Sequence, residues 1–260
     1  DYTSAKTRFS LLALGFDALL LLAFTLGGGI QFIAQFCNAN FTSPLAQGIA
    51  TMLVVLLLSS VLEAPFSWYR TFVIEARFGF NKMTLKLYLL DAAKGLLIGA
   101  LLGLPLLAGV LWLMQSMGAL WWLYVWGVWV SFNMLILFIY PTFIAPLFNK
   151  FSPLQDDTMK QRINALLARC GFTSSGLFVM DGSKRSAHGN AYFTGFGKTK
   201  RIVFFDTLLA RLSINEIEAV LAHELGHFKH RHVVKRIVAT FAMSLAFLWL
   251  LAVLMPNAWF

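Results

Sequence analysis

Leu221-Ala-His-Glu-Leu-Gly-His227 is the stretch around which the chain is organised. On a helix, His223 and His227 lie four residues apart and therefore share one face. Two imidazoles one turn apart can bind a single Zn²⁺, and Glu224 starts one residue round from His223, where it can act as a general base. The alternative is a chance match to His-Glu-x-x-His on a solvated helix.

The residues before the motif predict a capped helix and favour the metal site. Ser213 and Glu216 form the S-x-x-E pattern of a capping box. An apolar run then leads into the motif: Ile217, Ala219, Val220, Leu221 and Ala222. A chance match would be expected on a polar helix instead.

The composition indicates a membrane protein. Of the 260 residues, 58% are hydrophobic and 13% are charged, which is more apolar surface than a soluble domain needs. The net charge of +9 then reports loops beside anionic lipid, so the bilayer is an expected partner and nucleic acid is not. Cys37 and Cys170 lie far apart, without a second ligand at metal-binding spacing, and are interpreted as packing residues.

Five apolar runs are long enough to cross a bilayer. They are residues 11–36, residues 47–62, residues 92–114, a run that ends near Tyr140, and residues 237–255. The first run contains Asp17, which either lines a cavity or lies buried near the interface, and a Gly27-Gly-Gly29 stretch that should kink or loosen the helix.

The spans divide the chain into five regions. These are spans one and two (1–62), a cytoplasmic interfacial loop (63–91), spans three and four (92–141), a cytoplasmic zinc peptidase core (142–236) and a fifth span (237–260). Within 63–91 we expect an interfacial helix, a turn at Phe78-Gly-Phe-Asn81 and a second amphipathic piece. All 21 Lys and Arg residues fall on one side of the membrane or at its edge, which predicts that the motif faces the cytoplasm.

The region 142–236 has soluble composition and predicts a small α+β core. A helix is expected from Asp156 to about Cys170, and Gly195 to Lys200 should form a turn. Strands are expected at Leu177–Met180, Ala191–Thr194 and Arg201–Phe205. An exposed sheet edge beside the metal helix can hold an extended peptide by adding it as a strand.

Several long blocks of the sequence are specific enough to compare with known families. They include Asp181-Gly-Ser-Lys-Arg-Ser186, Asn190-Ala-Tyr-Phe193, Arg201-Ile-Val-Phe-Phe-Asp-Thr-Leu-Leu209 and Val220-Leu-Ala-His-Glu-Leu-Gly-His227. These blocks closely resemble the type I CaaX prenyl endopeptidase family of membrane-embedded zinc metallopeptidases. Arg70-Thr-Phe-Val-Ile-Glu-Ala-Arg-Phe-Gly-Phe-Asn-Lys82 and Ile144-Ala-Pro-Leu-Phe-Asn-Lys150 extend the resemblance into the apolar half.

The resemblance implies a mainly α, polytopic membrane protein: a multi-helix transmembrane barrel around a water-filled chamber, with a small cytoplasmic α+β zincin-like peptidase core. It also implies one Zn²⁺ per chain, bound by His223 and His227, with Glu224 as the catalytic glutamate. Asn190 matches an asparagine that helps to hold the substrate backbone. The edge strand matches Ala191, Tyr192, Phe193 and Thr194.

The family cleaves peptides or proteins after a prenylated cysteine near the C-terminus, and some members serve membrane-protein quality control. The membrane is then either a bacterial inner membrane or an endoplasmic reticulum. Two rival functions stay open: a non-proteolytic zinc-binding membrane scaffold, and a transporter with a structural metal.

The family has seven spans and a third zinc ligand, a glutamate, after the last one. We therefore expect a fragment that lacks the first and last spans, with its third ligand beyond Phe260, and no activity from this chain alone. His230 is a candidate ligand inside the chain, but its position beside Arg231 favours a polar residue at the membrane interface.

Three further positions have two interpretations each. Lys184 and Arg185 either pair with a substrate carboxylate or belong to a solvated loop. His188 either stabilises the tetrahedral oxyanion or is an ordinary loop histidine. Asp206 either orients a zinc-bound histidine or caps the helix that begins near Thr207, and the cap is favoured.

Overall fold

The computed structural model describes residues 1–194, 199–229 and 232–257; for residues 199, 200 and 227–229 it describes the backbone alone. Two compact units make up the chain, Asp1–Trp121 and Trp122–Phe260. Five helical segments in the described residues are long and apolar enough to cross a membrane: Tyr2–Thr25, Pro44–Glu75, Leu85–Ser116, Gly118–Phe148 and His232–Leu254. The predicted polytopic membrane protein is therefore confirmed.

The first unit is helical. It consists of α1 (Tyr2–Thr25), α2 (Gly29–Asn40), α3 (Pro44–Tyr69) and α4 (Leu85–Ser116), and a π-helical turn (Arg70–Glu75) prolongs α3. Thr84 caps α4 by accepting a hydrogen bond from the backbone N–H of Leu87. Aromatic rings of α1 and α3 meet, with Phe16 and Phe66 4.6 Å apart at their centroids.

The first predicted span, residues 11–36, is wrong in its bounds. The chain is helical from Tyr2, breaks after Thr25 and begins a new helix at Gly29. Gly28 has a φ of 74°, which favours glycine, and a Cβ at Gly27 would lie 2.5 Å from the carbonyl oxygen of Ala23. The glycine run therefore ends the helix instead of bending it.

Residues 63–91 have the predicted order of a helix, a turn at residues 78–81 and a second helical piece, but the first helix is continuous with α3. Helix continues through Glu75, turns at Gly79 with a φ of 75°, and resumes at Leu85. Hydropathy detects only the apolar part of a helix, so it misses polar turns that project past the apolar run. The interfacial and cytoplasmic character of this segment stays a prediction.

The second unit joins two spans to the small core. It contains α5 (Trp121–Ile139), a π-helical turn (Tyr140–Ile144), α6 (Ala145–Phe148) and α7 (Asp157–Arg169). The remaining helices are α8 (Asp206–Leu209), α9 (Ile214–Lys229) and α10 (His232–Leu254). The predicted helix at 156–170 is confirmed: Asp156 caps α7, and Gly171 follows it with a φ of 78°.

A four-stranded sheet has the order β1-β2-β4-β3. The strands are β1 (Phe151–Pro153), β2 (Thr173–Met180), β3 (Ala191–Thr194) and β4 (Thr199–Phe205). β2 pairs in parallel with β4, and the other two pairs are antiparallel. The three predicted strands are present, although β2 begins four residues earlier than expected. Most of the predicted 195–200 turn, residues 195–198, lies outside the described residues.

One face of the sheet packs against α7 and α9. The cluster contains Ile202 and Phe204 from β4, which are fully buried, together with apolar side chains from both helices. Those side chains are Met159, Ile163, Leu167, Ile217, Leu221 and Leu225. This cluster places α9 against the strand that neighbours the edge strand β3.

Candidate metal and substrate site

The start of α9 is fixed by a capping interaction. The side-chain Oε2 of Glu216 accepts hydrogen bonds from the backbone N–H of Ser213 at 2.8 Å and from its hydroxyl at 2.7 Å. These bonds hold the pKa of Glu216 below its ordinary value. The predicted capping pair is therefore formed, with the serine hydroxyl donating to the glutamate.

Within the motif, the leucines face the core, and His223 and Glu224 lie on the side of α9 that is turned away from it. Leu221 and Leu225 are buried at 1% exposure, whereas His223 is exposed and Glu224 is half-buried. The backbone of His227 continues the helix one turn after His223. Its side chain, like His230, lies outside what the structure describes.

The predicted ligands are two histidines and a glutamate outside this helix. Imidazole nitrogen and carboxylate oxygen are ligands that zinc takes in tetrahedral sites. His223 lies on the exposed face of α9, and Glu224 follows it directly. Among the side chains that the structure describes, those of residues 1–194, 201–226 and 232–257, no group of three His, Cys, Asp or Glu is arranged to hold a metal. The side chain of His227 is not among them, so of the predicted site the structure describes His223 and Glu224.

β3 is an edge strand, as predicted. The backbone N–H of Phe205 donates to the carbonyl of Asn190 at 2.9 Å, so Tyr192 and Thr194 form the bonded pairs with β4. The N–H groups of Ala191 and Phe193 consequently point away from β4. That of Ala191 donates to Oδ1 of Asn190 at 2.8 Å, which orients the amide of Asn190 along the outer edge of β3.

Asp206 holds the loop before β3 against the start of α8. Its Oδ1 accepts from the backbone N–H groups of Ser183 and Thr207, each at 2.8 Å, and its Oδ2 accepts from the hydroxyl of Ser183. The hydroxyl of Thr207 donates to the carbonyl oxygen of His188 at 2.9 Å. Asp206 is the first residue of α8 and Phe205 holds the N-cap position, so the favoured capping role is wrong. The Asp206 carboxylate instead anchors the loop that carries His188.

The two basic residues of the same loop have partners in the protein. Lys184 forms an ion pair with Asp181 at 2.6 Å. Arg185 donates to the carbonyl of Phe148 at 2.6 Å and to Oδ1 of Asn149 at 3.0 Å. The Arg185 bonds hold the loop against the end of α6, whereas the Lys184 pair lies within the loop. Both side chains therefore have a structural role in addition to any contact with substrate.

Some features of the site were not predicted. Arg162 of α7 donates to Glu218 of α9, five residues before His223, and no local sequence signal marks this pair. Tyr192 has a raised pKa, first because of burial and then because Tyr140 lies nearby, with Arg201 opposing the shift. The aromatic content of the edge strand was visible in the sequence, but its neighbours were not.

Two protein families match the chain. One, described as CAAX prenyl protease N-terminal, five membrane helices, matches residues 1–150, and the other, Peptidase family M48, matches residues 153–259. A CAAX prenyl protease 1 homolog from Oryza sativa subsp. japonica is 43% identical over 208 residues, which are 80% of this chain and 49% of that protein. CAAX prenyl protease 1 from Saccharomyces cerevisiae is 38% identical over 251 residues, 92% of this chain and 55% of that protein.

A solved structure shares the fold. The crystal structure of S. mikatae Ste24p superposes with a TM-score of 0.91 and 35% sequence identity, covering 98% of this chain and 61% of that one. The chain spans about half the length of the curated relatives that it matches.

Proposed function

Because the chain belongs to peptidase family M48 and carries the N-terminal membrane region of the CAAX prenyl proteases, we propose that it is part of a membrane-embedded zinc metalloendopeptidase. The observation that carries the proposal is the placement of His223 and Glu224. They lie on the exposed side of a capped helix whose other side packs against a sheet with an edge strand beside it.

His223 and His227 would hold the zinc ion, and a glutamate beyond Phe260 would complete the ligand set. The chain spans about half the length of these relatives, so the ligand set can include a residue outside it. When bound, zinc supplies Lewis-acid chemistry for peptide hydrolysis. Two imidazoles and a carboxylate are a ligand set known from zinc peptidases.

Glu224 is the general base of the proposed reaction. Its carboxylate takes a proton from the attacking water and passes it to the leaving amine, which keeps the proton count balanced as the peptide bond breaks. The substrate lies extended along β3, where Asn190 and residues 191–194 fix its position by backbone contacts. His188 provides a donor to the developing oxyanion.

The substrates that we propose are proteins with a prenylated cysteine near the C-terminus, since the relatives are CAAX prenyl proteases. The alternative for the same site is cleavage of damaged membrane proteins in quality control. The excess of Lys and Arg on one side supports an active site that faces the cytoplasm, in an endoplasmic reticulum or a bacterial inner membrane. A zinc-binding scaffold or transporter would not need Glu224.

The test is cleavage by the purified full-length protein. A prenylated CaaX peptide and the same peptide without its prenyl group are each incubated with native, chelator-treated and zinc-restored protein. We expect cleavage of the prenylated peptide that chelation abolishes and zinc restores. Zinc-loaded protein that cleaves neither peptide nor a denatured membrane protein would support the scaffold instead.

The origin of the third ligand is tested separately. Zinc content and cleavage are measured on residues 1–260 and on the protein extended past Phe260, both shown to be folded by circular dichroism. Zinc and cleavage in the longer protein alone support the proposed glutamate. Equal zinc in both would place the third ligand within residues 1–260.

A further inference from the structure

A two-pronged ion pair joins the candidate zinc helix to α7. Arg162 donates from Nε to Oε1 of Glu218 at 2.8 Å and from Nη2 to Oε2 at 2.6 Å. The same Nη2 donates to Oδ1 of Asn215 at 2.6 Å. One guanidinium therefore contacts two side chains in the first two turns of α9.

The bonds affect both partners electrostatically. The hydrogen bond from Arg162 is the largest cause of the lowered pKa of Glu218, and the same interaction raises the pKa of Arg162. Both side chains are partly exposed, so the charge interaction itself is screened by water. The geometry is the distinctive feature, because a planar guanidinium that meets a carboxylate with two bonds fixes direction as well as distance.

The rest of the interface is apolar. Ile163 and Leu167 of α7 face Ile217 and Leu221 of α9, all at 1% exposure or less. Apolar packing selects which face of α9 turns inward, whereas hydrogen bonds have sharper requirements for distance and angle. The Arg162 bonds therefore restrict sliding and rotation of α9 along the apolar stripe.

Arg162 cannot touch the metal site directly. His223 follows Glu218 by five residues, which places it about 7.5 Å further along the helix and about 140° round it. The influence of Arg162 on His223 and Glu224 must pass through the rigid helix. A small axial shift at Glu218 becomes an equal shift of every later side chain on α9.

We propose that Arg162 is a positioning residue, which through Glu218 and Asn215 sets the axial and rotational position at which α9 presents His223, Glu224 and His227. This inference rests on the proposed function, since it concerns the same helix. It predicts that metal affinity depends on the two-pronged geometry as well as on the positive charge. Neighbours that orient metal ligands commonly matter about 10- to 100-fold for affinity, and a more remote contact should matter less.

The test compares zinc affinity in full-length variants. Arg162→Lys keeps the charge but loses the fork, and Glu218→Gln keeps the size but loses the charge. Lys160→Ala is the matched control, because it removes the exposed ion pair of Lys160 with Asp157 (2.7 Å) from the same helix. Zinc dissociation constants come from competition with a chromogenic chelator, and amide hydrogen exchange of residues 221–229 is followed in the metal-free protein.

We expect Arg162→Lys and Glu218→Gln to weaken zinc binding about three- to tenfold and to speed exchange in α9. Lys160→Ala should match wild type in both measurements. The kcat should fall while KM changes less, because Arg162 does not contact substrate. The double variant that exchanges the two residues, Arg162→Glu with Glu218→Arg, should bind zinc more tightly than Arg162→Glu alone.

Wild-type affinity and wild-type exchange in both Arg162→Lys and Glu218→Gln would overturn the inference while leaving the proposed function intact. A wild-type protein that binds no zinc would overturn the proposed function and this inference together. If circular dichroism shows that Arg162→Lys does not fold, the decision depends on Glu218→Gln alone. Wild-type zinc affinity and wild-type exchange in Glu218→Gln would then overturn the inference.

Discussion

Glu216 accepts both hydrogen bonds that Ser213 donates, one from its backbone and one from its hydroxyl. Their chief consequence is a folded-state pKa of Glu216 below the ordinary value. Because the folded pKa is lowered, the stabilisation is fully present above the ordinary glutamate pKa of about 4.3 and is lost as the pH falls through the folded value. The start of α9 should therefore loosen in acid.

Glu216→Gln should lower the Tm of the metal-free protein by about 2–4 °C at pH 7, and the two Tm values should converge as the pH falls to the folded pKa of Glu216. Metal-free protein is used because metal affinity depends on pH, so release of the metal in acid would itself change the Tm. A difference in Tm that is the same at pH 7 and pH 3 would show that the glutamate charge does not stabilise the cap.

Asn190 is proposed to hold substrate through its side-chain amide while its Oδ1 accepts from Ala191. Asn190→Asp keeps that acceptor and loses the amide donor, whereas Asn190→Ala loses both. Both variants should raise KM about tenfold, the value expected for a lost hydrogen bond near 1.4 kcal/mol, and only Asn190→Ala should lower the Tm. Steady-state kinetics and thermal unfolding on the same samples check this.

Wild-type KM in Asn190→Asp would limit Asn190 to capping Ala191. A KM that rises in Asn190→Asp only at low salt would point to repulsion of an acidic substrate by the new charge.

Thr207 supports the backbone of His188 through its hydroxyl. Thr207→Val removes that donor with little change in shape, and Thr207→Ser retains it. If His188 stabilises the oxyanion, Thr207→Val should lower kcat/KM about tenfold through misplacement of the donor, with zinc content unchanged. Thr207→Ser should stay within about twofold of wild type. Equal activity in Thr207→Val and Thr207→Ser would remove Thr207 from the account.

Local signals explain which parts of the fold the sequence could predict. The cap at Ser213, the α7 helix between Asp156 and Gly171, and the apolar spans depend on residues near one another in the chain, so composition and spacing reveal them. The helix break at Gly28 was harder, because glycine either bends or ends a helix depending on its φ.

Pairings between residues far apart in the chain could not be predicted from composition and local spacing. The partnership of Arg162 with Glu218 joins residues 56 positions apart, and the parallel pairing of β2 with β4 depends on how the chain crosses over between them. In the sequence, Arg162 and Glu218 look like ordinary surface charges, and the residues of β2 and β4 like ordinary strand residues. The candidate site residues His223, His227 and Glu224 could be proposed from the sequence because the chemistry of zinc fixes their spacing on one helix.

The central claim is that Glu224 is the base of a zinc peptidase, and one sample tests it most directly. Zinc content and cleavage of a prenylated CaaX peptide are measured on the same preparation of full-length Glu224→Ala protein, beside wild type. The account predicts one zinc per chain in wild type and in Glu224→Ala. It predicts that the cleavage rate of Glu224→Ala falls about 10²- to 10⁴-fold. Glu224→Ala protein that cleaves at the wild-type rate would contradict it.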